Sequence, residues 1–463
     1  VFERLTNFLE DRLGLPTLWR SFTDRNIPLG VGWLHVLGSA TLFLLLVQAA
    51  TGVFLAFYYV PSPEHAFQSV SLITNELSFG WLVRGIHKWA ASLIVICVVL
   101  HMLRVLFMGA YKYPRELTWM VGVLLLLVIM AFAFTGYLLP WDQRAYWATV
   151  VGTHIAGYTP VIGPYITEML SGQAVVGVRT LGRFYAFHTL FLPATLFVLT
   201  AIHLSMVVKQ GIAAPPVGDF ATVSRDDYEE VYERVKSRGH PFYRSMAKDV
   251  VTAALLLGIL FFLAWHFGAP LEAEANPTTT TYVPRPEWYF YFLYELLWWF
   301  PGRSIPVATF WIPLVLVLVL FLLPWMDRSS HRAPLRRPVT TLVTMGVLGM
   351  VFFLTYKGAT APHPPVPVSA SARQAQSTIM SAQVLRGRTV FEQQGCAACH
   401  MVNGQGGVAG PDLTTVGRRH DAAWFKKYIP DPTSLLPGAE MPAYDSLSPQ
   451  DLDALVAYLQ TLR

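Results

Sequence analysis

Residues 84–104 read RGIHKWAASLIVICVVLHMLR. The run is apolar enough to cross a bilayer, yet it carries two histidines, His87 and His101, fourteen residues apart. At about 100° and 1.5 Å per residue, fourteen steps return to nearly the same helix face roughly 21 Å further along. Residues 184–209 repeat the device with His188 and His203, fifteen residues apart. Two such helices, each with a histidine near either end, can hold two stacked haems between them, each iron between a pair of imidazoles. One histidine of this kind alone is more often a hydrogen-bonded interior residue. Four at matched depths ask for a partner, because ionisable groups inside a membrane are costly. Glycines repeat the period: Gly38 and Gly52 in the preceding span, Gly122 and Gly136 in the following one, each pair fourteen apart. Small residues at helix contacts explain single glycines. The shared period fits flat macrocycles pressing on neighbouring backbones.

The whole chain agrees with a membrane reading. Its 463 residues are 54% hydrophobic and 14% charged, with mean hydropathy +0.43. These values describe an all-α polytopic membrane protein. The net charge of +5 is not that of a nucleic-acid binder, because the positive charges sit in short loops and set orientation. Residues 1 to 30 are polar and amphipathic, with four arginines and no apolar core, so no cleavable signal peptide is expected. Three cysteines exclude a disulfide scaffold. Cys97 reads as a buried small hydrophobe within its helix.

Seven spans are expected, at roughly 32–59, 81–108, 117–139, 184–208, 250–268, 306–325 and 339–356. The N-terminal segment and the loops after spans two, four and six hold about 17 Lys and Arg, including Arg328, Arg332, Arg336 and Arg337. The loops after spans one, three and five hold about six. The positive-inside rule then places the N-terminus in the cytoplasm and everything after span seven outside. On that topology His87 and His188 lie near the outer surface, and His101 and His203 near the inner one. The outer loop after span five carries Pro286-Glu287-Trp288-Tyr289 and an aromatic stretch to Phe300. A lone carboxylate there is compatible with simple solvation, but enclosure by Pro and Trp favours a protonatable site. Oxidation of a quinol releases two protons with two electrons, and a carboxylate within reach can accept one.

Four units are expected: a diheme four-span domain over 1–212, a three-span domain over 213–358, a Pro/Ala/Ser linker over 359–381, and a small soluble α-helical domain over 382–463. In the last, Cys396-Ala397-Ala398-Cys399-His400 is the C-x-x-C-H pattern for covalent c-type haem, with His400 as one axial ligand. A zinc or dithiol redox site would need partners that are missing nearby. Helices at about 382–394 and from Pro449 to Leu462 fit a small cytochrome c fold, and Met441 in GAEMPAY is the candidate second ligand. Met401 adjoins the motif and cannot reach round the ring. Bacterial haem attachment takes place outside the cytoplasmic membrane, in keeping with the topology.

Together these residues resemble cytochrome b of the Rieske/cytochrome bc complexes over residues 20 to 358. The resemblance is closest to the chloroplast and cyanobacterial branch, where the fifteen-residue spacing is typical. The strings that carry it are LVQAATG, KYPRELTW, TGYLLPWDQRAYW and RFYAFHTLFLP. In that branch the two halves are separate polypeptides; here they look fused, and residues 382–463 resemble a class I cytochrome c that includes Gly410-Pro411-Asp412-Leu413. The resemblance implies that His87 and His188 bind an outer haem b, His101 and His203 an inner haem b, and Cys396, Cys399, His400 and Met441 one haem c. It implies Glu287 and Tyr294 at the quinol oxidation site, with Pro286, Trp288 and Tyr289 around them. Arg84 and Arg183 are implied near propionates of the outer haem, and Lys248 and Asp249 in HPFYRSMAKD at an inner quinone site. Pro411 would support His400 through its carbonyl oxygen.

One departure from the pattern stands out. That branch tethers an extra haem to a cysteine in span one, and the matching position here is Val36. No covalent third haem is expected, and the adjacent His35 is read as a structural hydrogen-bonding residue ahead of a ligand to a quinone or an iron.

The implied partners are a Rieske iron–sulfur protein, quinone and quinol, a downstream cytochrome c or terminal oxidase, the lipid membrane, and a second copy of the chain. The implied place is a bacterial cytoplasmic membrane, with the cytochrome c domain on the periplasmic side. The chain is not itself the Rieske protein, whose cluster needs two Cys and two His. The rival reading is a diheme anchor that relays electrons between quinone and a peripheral redox enzyme without splitting electron pairs. Such an anchor has no need of the Pro286–Tyr289 motif.

Overall fold

The computed structural model describes residues 2–172, 176–276, 282–362, 370–402, 405–407 and 409–462. Seven helices are long and apolar enough to cross a membrane: Trp33–Ala56, Gly80–Phe107, Glu116–Tyr137, Val178–Gln210, Tyr243–Phe267, Gly302–Met326 and Pro338–Thr360. At 1.5 Å per residue even the shortest exceeds a hydrocarbon core of about 30 Å. The chain is an integral, all-α membrane protein. Its strands, among the described residues, are two short antiparallel pairs, Asn26–Ile27 with His240–Pro241 and Met401–Val402 with Gln405–Gly406. Residues 1–366 and 367–463 are separate compact units.

In the first unit, span one packs on span two, span three on span four, and span five on span two. Spans two and five approach closely because Gly85 faces Ala264; a Cβ on Gly85 would lie 2.8 Å from that of Ala264. The core at mid-depth contains Leu44, Ile94, Ile129 and Leu196. Ile94 stands seven residues from both His87 and His101, and Ile129 seven from both Gly122 and Gly136. This layer therefore fills the bundle centre between two histidine levels and separates two sites.

Span four contains a π turn at Phe187–Phe191, where the Leu192 N–H donates to the Phe187 carbonyl five residues back. Pro193 follows, and its missing N–H breaks the regular ladder there. Four regular turns consume about 14.4 residues, and a π turn takes up about one more. The fifteen-residue spacing in span four thus reaches the same register as fourteen in span two.

Two clasps join the halves of this unit. At the end of the bundle that carries His101 and His203, expected to be the inner one, Asp327 receives Lys112 at 2.6 Å and Arg337 at 3.2 Å, and the Tyr111 hydroxyl donates to it at 2.6 Å. Arg337 also donates to the carbonyls of Leu106 and Phe107 at the end of span two, both at 2.9 Å. Arg332 donates to Gly109 and Tyr113 carbonyls at 3.1 and 2.8 Å. Gly109 adopts φ +59°, and a Cβ there would sit 3.0 Å from Arg332. Arg332 and Arg337 are only 3% and 4% exposed, so two of the four arginines in the loop after span six are bound inside the protein, Arg337 as a cap of span two and Arg332 as a tie to the loop that follows it. At the opposite end, expected to be the outer one, Gln143 N–H donates to Ala273 O at 2.8 Å and Ala275 N–H to Trp141 O at 3.0 Å. Arg144 pairs with Glu272 at 2.8 Å.

In the second unit, helix Ala370–Gln393 crosses helix Pro449–Thr461. The crossing requires Gly387, whose Cβ would overlap the Ala454 carbonyl. Val390, Phe391, Val416, Phe425, Ile429 and Leu459 form the core. The helix starts at Ala370, inside the segment read above as linker. Its Ala, Arg and Gln content explains the difference, since these residues favour helix although they are not apolar. The linker prolines beyond Pro362 lie outside the described residues.

Candidate haem and quinone sites

At the outer level the His87 and His188 rings face each other across spans two and four, with centroids 6.4 Å apart and planes at 72°. Metal–imidazole bonds of about 2 Å on each side put two ring centres roughly 6 Å apart across a single ion. The glycines lie against the imidazoles. A Cβ on Gly52 would come within 3.3 Å of His87, and one on Gly136 within 2.5 Å of His188. At the inner level the corresponding distances are 3.2 Å from Gly38 to His101 and 3.5 Å from Gly122 to His203.

Threonines fix the tautomers of the outer pair. Thr51 donates its hydroxyl proton to Val47 O at 2.7 Å, so at 2.9 Å from His87 Nδ1 its oxygen accepts. Thr135 does the same, donating to Ala131 O at 2.9 Å and facing His188 Nδ1 at 3.2 Å. Both Nδ1 atoms therefore carry the proton, and both Nε2 lone pairs are left for a metal. Gln48 adds a bond from its Nε2 to the His87 carbonyl at 3.0 Å. Thr51-Gly52 and Thr135-Gly136 are the same dipeptide in spans one and three, and that repeat was the signal for the threonines.

At the inner level a cavity of about 1340 Å³ is lined by His35, Gly38, His101, Arg104, Gly122 and His203, among others. Arg104 Nε and Nη2 are buried there without a hydrogen-bond partner. An orphaned guanidinium one turn beyond His101 fits the acidic edge of a haem. An arginine inside an apolar run was its sequence signal. Among the described residues no three His, Cys, Asp or Glu side chains group to hold a bare metal ion. Paired histidines with glycine-lined gaps suit a planar group that brings its own equatorial ligands.

Arg84 and Arg183 are bound to protein. Arg84 donates to Thr74 Oγ1 at 3.0 Å and to the Ala269 carbonyl. Arg183 donates to the Glu168 and Met169 carbonyls, both at 2.6 Å.

Glu287 precedes the short helix Trp288–Phe290 and is half-buried. Among the described residues its carboxylate has no hydrogen-bond or ion-pair partner. Trp288 Nε1 donates to Ser92 Oγ at 3.2 Å. Tyr289 packs into the core layer with Ile94 and Ile129. Burial, and then the Glu287 charge, push its phenol well above the usual value, so it stays protonated. Tyr294 is buried on the following helix, Tyr291–Trp299, where desolvation also raises its phenol. Pro286 is half-buried beside them.

Of the inner quinone candidates, Asp249 lines the inner cavity and accepts from Ser39 Oγ at 2.5 Å. Lys248 instead reaches the Val31 carbonyl at 3.3 Å. His35 accepts from Gly32 N–H at Nδ1, at 3.2 Å, while its Nε2 is buried without a partner.

In the second unit Cys396 begins a short 3₁₀ turn, half-buried against the core, and Cys399 is exposed. His400 Nδ1 lies 2.9 Å from the Pro411 carbonyl. A carbonyl only accepts, so Nδ1 holds the proton and Nε2 is the free donor atom. Gly410 lies flat on this ring; a Cβ there would be 2.5 Å from Cε1. Met441 is half-buried, three residues before Tyr444, which packs on the same cluster as Cys396.

Comparison with known proteins gives three family matches: cytochrome b/b6/petB over residues 22–211, cytochrome b(C-terminal)/b6/petD over 274–377, and cytochrome c over 384–463. The menaquinol:cytochrome c reductase cytochrome b subunit of Bacillus subtilis is 44% identical over 223 residues, which are 46% of this chain and 100% of that one. Cytochrome b6 of Synechococcus elongatus is 42% identical over 212 residues, 46% of this chain and 99% of that one. A solved chain of a hyperthermophilic respiratory Complex III has a TM-score of 0.67 at 30% identity, covering 79% of this chain and 93% of that one.

Proposed function

Because the chain belongs to the cytochrome b/b6 family and ends in a cytochrome c domain, we propose that it is the fused b–c subunit of a proton-translocating quinol:cytochrome c oxidoreductase. His87 with His188, and His101 with His203, would hold two haems b; Cys396 and Cys399 would tether a haem c between His400 and Met441. When bound, the haems supply one-electron carriers, so that one electron of each quinol crosses to an inner quinone while the other leaves through a Rieske protein and the c domain.

The chain's own residues position and deprotonate. Glu287, half-buried and with no hydrogen-bond or ion-pair partner among the described residues, accepts a proton from quinol on the outer side. Tyr289, buried next to it, Trp288, whose indole donates to Ser92, and Tyr294, buried on the following helix, would complete the quinol oxidation site. On the inner side Asp249, oriented by Ser39, delivers a proton to quinone. The apolar layer of Leu44, Ile94, Ile129 and Leu196 keeps water out of the gap between the two levels. Protons are thus released outside and taken up inside. A homodimer in a bacterial cytoplasmic membrane, with the N-terminus inside, completes the reading.

The observation that carries it is the Glu287 carboxylate, without a hydrogen-bond or ion-pair partner among the described residues, adjoining Tyr289, whose ring packs into the same core as the histidine-bearing helices. A diheme relay has no use for such a carboxylate. The test is low-temperature EPR on the complex purified in mild detergent. A reduced Rieske [2Fe–2S] signal alongside the haems is expected. Its reproducible absence with haems intact would leave only the relay.

A further inference from the structure

Lys88 directly follows His87 in span two and is half-buried. A charge among apolar residues at such a position asks for a partner. Reaching water along its own apolar stem is the plain reading of a lysine near a helix end, but its surroundings go beyond that. The ammonium stands 5.4 Å over the Trp89 ring, and among the described residues it makes no hydrogen bond and no ion pair. The charges that reach it most strongly belong to Glu287, Arg144, Arg84 and Asp142. Three of these are spent elsewhere. Asp142 accepts the Ala145 N–H at 2.8 Å on one oxygen and the Glu272 N–H at 3.1 Å on the other. Arg144 pairs with Glu272 at 2.8 Å, and Arg84 donates to Thr74 and the Ala269 carbonyl. Glu287 is the charge of the four that has no partner among the described residues.

Ser92 shows how the two are brought together. It stands one turn after Lys88 on the same face of span two, and it accepts from Trp288 Nε1 at 3.2 Å. This bond pins the start of the short helix Trp288–Phe290 to span two, and Glu287 is the residue just before that helix. Tyr289 holds the other side by packing into the core with Ile94. A cation on span two and a carboxylate on the loop are thereby kept close enough to feel each other's charge without closing into an ion pair. A closed pair would make Glu287 a poor base, because the carboxylate would have to give up its counter-charge to take a proton. The open arrangement leaves the base available.

We propose that Lys88 is the positioning residue for Glu287 in quinol oxidation, a fixed positive charge that draws the ionised carboxylate and so drives release of the proton it has taken. This deepens the function proposed above and rests on it, since Glu287 must be the proton acceptor. In the step a quinol O–H bond breaks and the proton bonds to a Glu287 oxygen, while the two electrons take their separate routes. The neutral acid is no longer attracted to Lys88. Loss of the proton to water restores the carboxylate beside the ammonium, and the base is reset for the next quinol.

The test compares Lys88→Gln and Lys88→Arg in the purified, haem-loaded complex, each alone and combined with Glu287→Gln. In Lys88→Gln steady-state quinol oxidation should fall about tenfold, in kcat more than in KM, while reduction of the b haems in the first turnover keeps its rate. Lys88→Arg should restore most of the turnover. Where Glu287→Gln is already present, adding Lys88→Gln should change turnover by less than about twofold. Unchanged turnover in Lys88→Gln, a first turnover slowed as much as the steady state, or an equal loss with and without Glu287 would each overturn the inference. So would loss of the His87 haem or a shift in its midpoint potential, because the lysine would then act on the haem. Unchanged turnover in Glu287→Gln alone would overturn the proton acceptor of the parent function instead.

Discussion

The hydroxyl of Thr51 lies 2.9 Å from Nδ1 of His87 and has already given its proton to Val47. Its only remaining role toward the ring is to accept, which fixes the imidazole tautomer and raises the basicity of Nε2. Thr51→Val keeps the shape and removes the acceptor. It is expected to weaken retention of the outer haem about 10- to 100-fold and to shift its midpoint potential, leaving the inner haem unchanged. Redox titration of the two b haems in the variant checks this.

The glycines facing the four histidines are not equivalent. Gly136 leaves no room, with a Cβ position 2.5 Å from His188, whereas Gly122 leaves ordinary contact at 3.5 Å from His203. Gly136→Ala should lose the outer haem, and Gly122→Ala should keep both. Pyridine haemochrome counts on the purified variants give the answer directly.

The inner clasp predicts an acid limit to stability. Desolvation works against ionisation of Asp327, but hydrogen bonds from Lys112, Tyr111 and Ser329 outweigh it and hold the carboxyl below the usual range. The folded value therefore lies below the unfolded value of about 4. The stabilisation is fully present above that unfolded value and is lost as pH falls through the folded one. Asp327→Asn should remove this acid limb. It also leaves Lys112 and Arg337 buried without a counter-charge, at a cost of about 3–5 kcal/mol. Thermal unfolding of the complex between pH 3 and 7 separates the two effects.

Glu287→Gln preserves size and polarity but cannot accept a proton. Quinol oxidation should slow by about 10²- to 10⁴-fold, the range expected for loss of a general base, while all haems remain bound. The loss should appear in kcat more than in KM. Unchanged turnover would remove Glu287 from the chemistry.

Much of this was legible in the sequence, for reasons that are physical. Bilayer thickness forces long apolar runs, and all seven helices appear where those runs lie. The fourteen-residue period of His and Gly survives because a straight helix repeats its face at that interval. What was hidden depends on tertiary context. The fifteen-residue interval between His188 and His203 looks like an irregularity until the π turn at Phe187–Phe191 absorbs it. Arg332 and Arg337 read as surface orientation charges, yet inside the fold Arg337 caps span two and Arg332 binds the loop that follows it, and nothing local distinguishes them from Arg328 and Arg336. Arg104 was visible as a charge within an apolar run, but its orphaned guanidinium emerged only with the inner cavity around it. The helix from Ala370 was masked by its polar composition, because propensity without an apolar stripe is a weak signal.

The central claim is that one quinol sends its two electrons along separate routes from a single site beside Glu287. Stopped-flow spectroscopy of the purified complex after a quinol pulse, recording the b and c bands together, tests it most directly. The b and c haems are expected to be reduced with the same rate constant, and removing the Rieske partner while the inner site is blocked is expected to abolish both phases. Fast b reduction that persists without the Rieske protein under that block would contradict it.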